Sequence, residues 1–72
     1  MKFKPGDFTL RTWGRGKFIN KIVAIEGTSY ILKEIRPLSE HAQKTEEELV
    51  RDIIQIDGDS VLLSDDLKAK YL

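Results

Sequence analysis

Apolar residues recur along this chain in short alternating runs, separated by residues that favour turns. Phe8-Thr9-Leu10-Arg11-Thr12-Trp13 alternates strictly, which puts Phe8 and Leu10 on one side of a strand and Thr9, Arg11 and Trp13 on the other. Ahead of it, Lys4-Pro5-Gly6-Asp7 predicts a turn, because Pro fixes φ at one corner and Gly supplies the next. Gly14-Arg15-Gly16 follows as a flexible basic loop. The next run, Lys17 to Glu26, is long and its alternation slips. Ile19, Val23 and Ile25 share one parity, while Phe18, Ile22 and Ala24 share the other. A slip of this kind predicts a bulge or sharp bend, by which one strand serves two layers. Tyr30 to Ile35 is the return strand, stopped at Arg36-Pro37.

Two segments predict hairpin turns, Glu26-Gly27-Thr28-Ser29 and Asp57-Gly58-Asp59-Ser60. The second is the stronger signal, since Asp-Gly between apolar runs suits a turn that needs φ > 0. On this reading Val50 to Ile56 is a strand with Ile54 and Ile56 facing in, and Val61-Leu62-Leu63 is its return. Between strands three and four lies a polar, acidic stretch from Leu38 to Glu48, read as a long surface loop. Within it Thr45 and Glu48 have capping-box spacing for a helical turn. The tail from Ser64 to Leu72 predicts a short helix. Ser64 or Asp65 can cap it, the acids fall at its positive end, and Lys68 and Lys70 fall at its negative end. Leu63, Leu67 and Tyr71 align at i, i+4, i+8, so this helix must dock on something to be stable.

With 72 residues the chain is expected to form one domain, 1–72, close to the size at which a single core barely suffices. The absence of Cys excludes disulfides and thiolate zinc sites and fits a reducing compartment. The longest apolar stretch is Ile22 to Ile25, far below the roughly 20 residues that span a bilayer. The first residues have no apolar signal core, so a cytoplasmic location without membrane association is expected. Net charge is zero but uneven: residues 1–36 carry eight bases against three acids, and residues 37–72 carry four against nine. Either the molecule is a strong dipole, or strands from both halves interleave and the charges neutralise locally.

Five short strands with a bent second strand describe an SH3-like barrel, and the first half resembles a Tudor-type domain over about residues 3–35. Phe3-Lys4-Pro5-Gly6-Asp7-Phe8 resembles that family's aromatic residue and Gly-Asp turn into strand one. Trp13, the loop Gly14-Arg15-Gly16 and then Lys17-Phe18 resemble its tryptophan, variable loop and aromatic pair. Ile22-Val23-Ala24-Ile25-Glu26 and Tyr30-Ile31-Leu32 match its second and third strands. The resemblance implies an aromatic cage for methylated Lys or Arg, a cation–π device. Trp13 and Phe18 match two walls, but residues 38–48 contain no aromatic, so the fold is kept and that activity is set aside. The expected fold is a mainly β, five-stranded SH3-like (Tudor-like) barrel with a long acidic loop and a short C-terminal helix.

The best candidate site is Trp13 with Arg15, Lys17, Phe18, Arg11 and Lys33, because Trp and Arg are enriched where proteins bind one another. Enzyme chemistry is not expected. The single His, His41, sits in the acidic loop with no Cys nucleophile, and Gly14 and Gly16 lie between strands without a following helix. Asp57, Asp59, Asp65 and Asp66 lack the ordered spacing of a Ca²⁺ loop, so neither metal nor cofactor is expected. The expected function is a small non-enzymatic adaptor or regulator that binds another protein, of a size that suits a bacterial or phage accessory protein. The alternative is a nucleic-acid-binding barrel that uses the basic N-terminal half.

Overall fold

The computed structural model describes residues 1–37 and 47–72. The chain order is β1 (Phe8–Trp13), β2 (Gly16–Glu26), β3 (Ser29–Pro37), β4 (Glu47–Asp52), α1 (Ile53–Asp59), β5 (Ser60–Leu62) and α2 (Asp65–Tyr71). All strand pairs are antiparallel, and the sheet order is β4-β3-β2-β1-β5. Among the described residues β4 and β5 form its two edges and do not pair with each other, so the ladders there do not close into the expected barrel. The architecture, among the described residues, is a mainly β, five-stranded antiparallel sheet with two short helices. Most of the predicted loop 38–48 lies outside the described residues, including His41 and Thr45. Its last two residues, Glu47 and Glu48, open β4 instead of a helical turn.

The local signals of the first half are realised closely. Gly27, at φ 58°, sits in a two-residue turn between the paired Glu26 and Ser29. The alternation slip in β2 appears as a register shift at Ile22/Ala24, where Val23 has no partner on β3, and a second shift, at Ile19/Asn20, skips Ile35 of β3. The Ile22 main chain bonds the N-terminal turn, its N–H donating to Asp7 O and its carbonyl accepting from Gly6 N, both at 2.8 Å. That turn closes by Asp7 N donating to Lys4 O at 3.1 Å.

Cross-strand partners share a face and neighbours along a strand alternate. Phe8, Leu10 and Ile19 therefore face one side, while Thr9, Arg11, Phe18, Asn20 and Ile22 face the other. Each side has its own apolar cluster. Ile19, Ile35 and Leu63 pack with Phe8, Leu10, Leu67 and Tyr71 beneath α2. Phe3, Ile22, Tyr30, Leu32 and Ile56 pack with Leu49 and Ile53 beneath α1. The side of Thr9 is thus no solvent face: Thr9 and Asn20, opposite each other, are both buried.

The Asp57-Gly58 hairpin does not form. Ile53–Asp59 is an α-helix that runs through the expected turn, and Gly58 does not adopt positive φ. Ile53 and Ile56, three apart, both reach the cluster of Phe3, Ile22, Tyr30 and Leu32, while Ile54 is 88% exposed rather than facing in. Helical spacing buries two isoleucines on one side of the segment, which an alternating strand would set on opposite faces. Packing against the sheet outweighs the turn preference.

α2 follows its sequence signals. Ser64 Oγ accepts from Leu67 N at 3.3 Å, Asp65 and Asp66 occupy the first turn, and Lys68 and Lys70 the last. Replacing Ser64 by Ala is expected to cost about 1 kcal/mol. Hydrogen exchange should show the loss first as faster exchange at the Leu67 amide, which donates to Ser64 Oγ, and then at the Lys68 amide, which bonds Ser64 O.

Candidate functional site

The β1–β2 hairpin holds five of the six expected contact residues, with Arg11 opposite Phe18, Thr12 opposite Lys17 and Trp13 opposite Gly16. Gly14 takes φ 58° at the turn, a backbone conformation that costs glycine little. Arg15 and Lys17 are exposed, and Phe18 is half-buried. The hairpin divides its residues between the two sheet faces, so Lys17 and Phe18 point to opposite sides. Arg11 is not a free surface base: its side chain is 13% exposed and its Nε lies 3.3 Å from Asp59 Oδ2. Lys33 stands apart on β3, between Lys21 of β2 and Glu48 of β4.

On the Phe18 side the sheet, together with α1, bounds an open cavity of about 300 Å³ lined by Arg11, Phe18, Glu34, Arg51 and Gln55. It offers two guanidiniums, a carboxylate, an amide and a ring, a mixed set suited to polar side chains and peptide groups. Glu34, Arg51 and Gln55 come from β3, β4 and α1 and were not singled out from the sequence. The parity that puts Arg51 on the face of Leu49 was available, but Gln55 depends on a helix that the turn signal concealed. A larger apolar crevice of about 750 Å³ lies between the β2–β3 turn and the start of α1, beside the exposed Ile54.

The halves of the chain interleave electrostatically. β5, from the acidic half, lies against β1, and β4 lies against β3. Arg11 Nε lies 3.3 Å from Asp59 Oδ2, and the Met1 ammonium lies 3.7 Å from Asp57 Oδ2. The second of the two charge arrangements considered above is the one the fold adopts at these contacts.

Asp57 also organises the cluster beneath α1. The hydroxyl of the fully buried Tyr30 donates to Asp57 Oδ1 at 2.6 Å and accepts from Phe3 N at 3.1 Å. Accepting the Tyr30 hydrogen bond, more than any other influence, holds the Asp57 carboxyl below its usual range. Burial, aided by that same bond, pushes the Tyr30 phenol above its ordinary 10.0. This is a structural lock, remote from the hairpin.

Among the described residues no group of three His, Cys, Asp or Glu could hold a metal ion, and no helix is long and apolar enough to cross a membrane. Fold and surface together define a small mainly β antiparallel protein with a mixed-charge concave face. Compared with family models, with curated proteins and with solved structures, the chain matches none.

Proposed function

We propose that this chain is a small non-enzymatic adaptor or regulator that binds another protein through the β1–β2 hairpin and the concave face beside it. The scaffold is read as an SH3-like, Tudor-like sheet whose ladders stop short of closure. The meander order β4-β3-β2-β1-β5, with a short helix between the last two strands, supports that reading. The observation that carries the function is the open cavity lined by Arg11, Phe18, Glu34, Arg51 and Gln55, two of which, Arg11 and Phe18, belong to the hairpin that also carries the exposed Arg15 and Lys17. Aromatic and Arg side chains at such a rim are the types that dominate binding energy.

The test compares proteins captured from the native host by the wild-type chain with those captured by Arg15→Glu/Lys17→Glu and by Phe18→Ala. The specific partner is expected to lose about tenfold or more in affinity to each variant, roughly 1–2 kcal/mol. Circular dichroism should show the fold intact in both. Unchanged capture by both variants would remove the hairpin from the interface.

A second reading, nucleic-acid binding, has one observation in its favour: Lys17, Lys21 and Lys33 share the sheet face opposite the cavity, Lys21 directly across from Lys33. A salt titration separates the readings. Phosphate contacts predict a log–log slope of about −0.9 for each phosphate neutralised. No duplex or single-strand binding at low salt would discard it.

A further inference from the structure

We propose that β4 is the seam of a symmetric dimer, in which a second copy of this chain extends the sheet across a twofold axis. β4 is six residues long and pairs with β3 on one side only, which leaves its outer edge without a strand among the described residues. Edge strands present unpaired main-chain groups that template another strand. Val50, on this edge, is 59% exposed. Arg51 Nη1 donates to the Val50 carbonyl at 2.9 Å, occupying one edge acceptor in the single chain.

The sequence of this edge is complementary to itself in a single register. An antiparallel seam with its axis perpendicular to the sheet keeps the faces of both copies aligned, so partners must share parity. Centred on Leu49, the pairing sets Glu47 against Arg51 of the partner subunit, and by symmetry Arg51 against Glu47 of the partner subunit. Leu49 then meets Leu49 of the partner subunit, and Glu48 meets Val50 of the partner subunit. A two-residue slip one way opposes Glu48 to Asp52 of the partner subunit twice. A slip the other way opposes Glu48 to Glu48 of the partner subunit. Both set like charges directly across the seam, which is destabilising. The register centred on Leu49 gains two opposite-charge pairs and sets no like charges against each other across residues 47–51, with Asp52 of each copy running past the first residue of the partner subunit's β4. β5, the other edge, is three residues long, carries no charge and offers no such selection.

The experiment is sedimentation over a concentration series, applied to the wild type, to Glu47→Arg and to Arg51→Glu. The wild type is expected to move from monomer towards dimer as concentration rises. Each variant alone sets like charges across both positions and should associate about tenfold more weakly or worse. Mixed in equal amounts, the two variants restore both attractive pairs, so a heterodimer should reappear with wild-type affinity. That recovery also shows that neither variant has simply unfolded. A wild type that stays monomeric throughout, single variants that dimerise as well as the wild type, or a mixture that remains monomeric would each overturn the proposal.

Discussion

Ile22→Ala is expected to destabilise the protein by about 2–5 kcal/mol, a large share of the total for so small a domain. Ile22 is fully buried in the central strand and belongs to the cluster of Phe3, Tyr30, Leu32 and Ile56. Its main chain also anchors the N-terminal turn through Asp7 and Gly6, so the backbone is held while the side chain is removed. Little room for collapse remains, and the loss includes a cavity term as well as the transfer of the missing carbons. In a thermal melt each kcal/mol corresponds to roughly 4–8 °C for a domain this size. Ile54→Ala is the matched control: at 88% exposure it should shift stability by no more than about 0.5 kcal/mol. Equal effects at the two positions would mean that α1 is docked by a different face.

Tyr30→Phe is expected to cost about 1.5–3 kcal/mol near neutral pH, with a pH signature that a packing defect would not give. The substitution keeps the ring and removes the hydroxyl that bonds both Asp57 and the Phe3 amide. In the wild type the lowered Asp57 value contributes stability above pH 3.8, and this is lost as pH falls through the still lower folded value. The raised Tyr30 value contributes below pH 10.0, and this is lost as pH climbs through the higher folded value. The stability gap between variant and wild type should therefore be widest between about pH 5 and 9 and narrow at both extremes. Urea denaturation across this range measures it. A gap that stays constant in acid would show that the Asp57 bond contributes nothing.

Elements decided by neighbours in sequence were legible from the chain alone. β1 runs from Phe8 to Trp13 as its alternation implies, Gly27 turns the second hairpin, and Ser64 caps α2. Each of these depends on residues a few positions apart. α1 was not legible, because Ile53-Ile54-Gln55-Ile56 is too short an apolar run for periodicity to separate strand from helix. What decides it is distant: Phe3 and Ile22 beneath the isoleucines, and Tyr30 holding Asp57 across 27 positions. The candidate site divides in the same way. Arg11, Arg15, Lys17 and Phe18 lie within one hairpin and could be grouped by inspection, whereas Glu34, Arg51 and Gln55 join Arg11 and Phe18 only once three further elements are in place.

The two clusters on opposite sides of the sheet bear on how this chain avoids misthreading. In most half-buried strands a one-residue slip turns greasy side chains out to water, and that penalty protects the alignment. Here β2 buries Ile22 on one side and Ile19 on the other, so for these two a slip would exchange one interior for the other at a smaller penalty. The same slip would drive inward Lys17 and Lys21, which are exposed on the Ile19 side. Further discrimination comes from the few hydrophilic groups hidden inside, Thr9 across from Asn20 and Ser60 across from Arg11. They act as a key cut into an otherwise oily lock, and replacing them with aliphatic residues would gain cohesion while blurring which alignment is the native one.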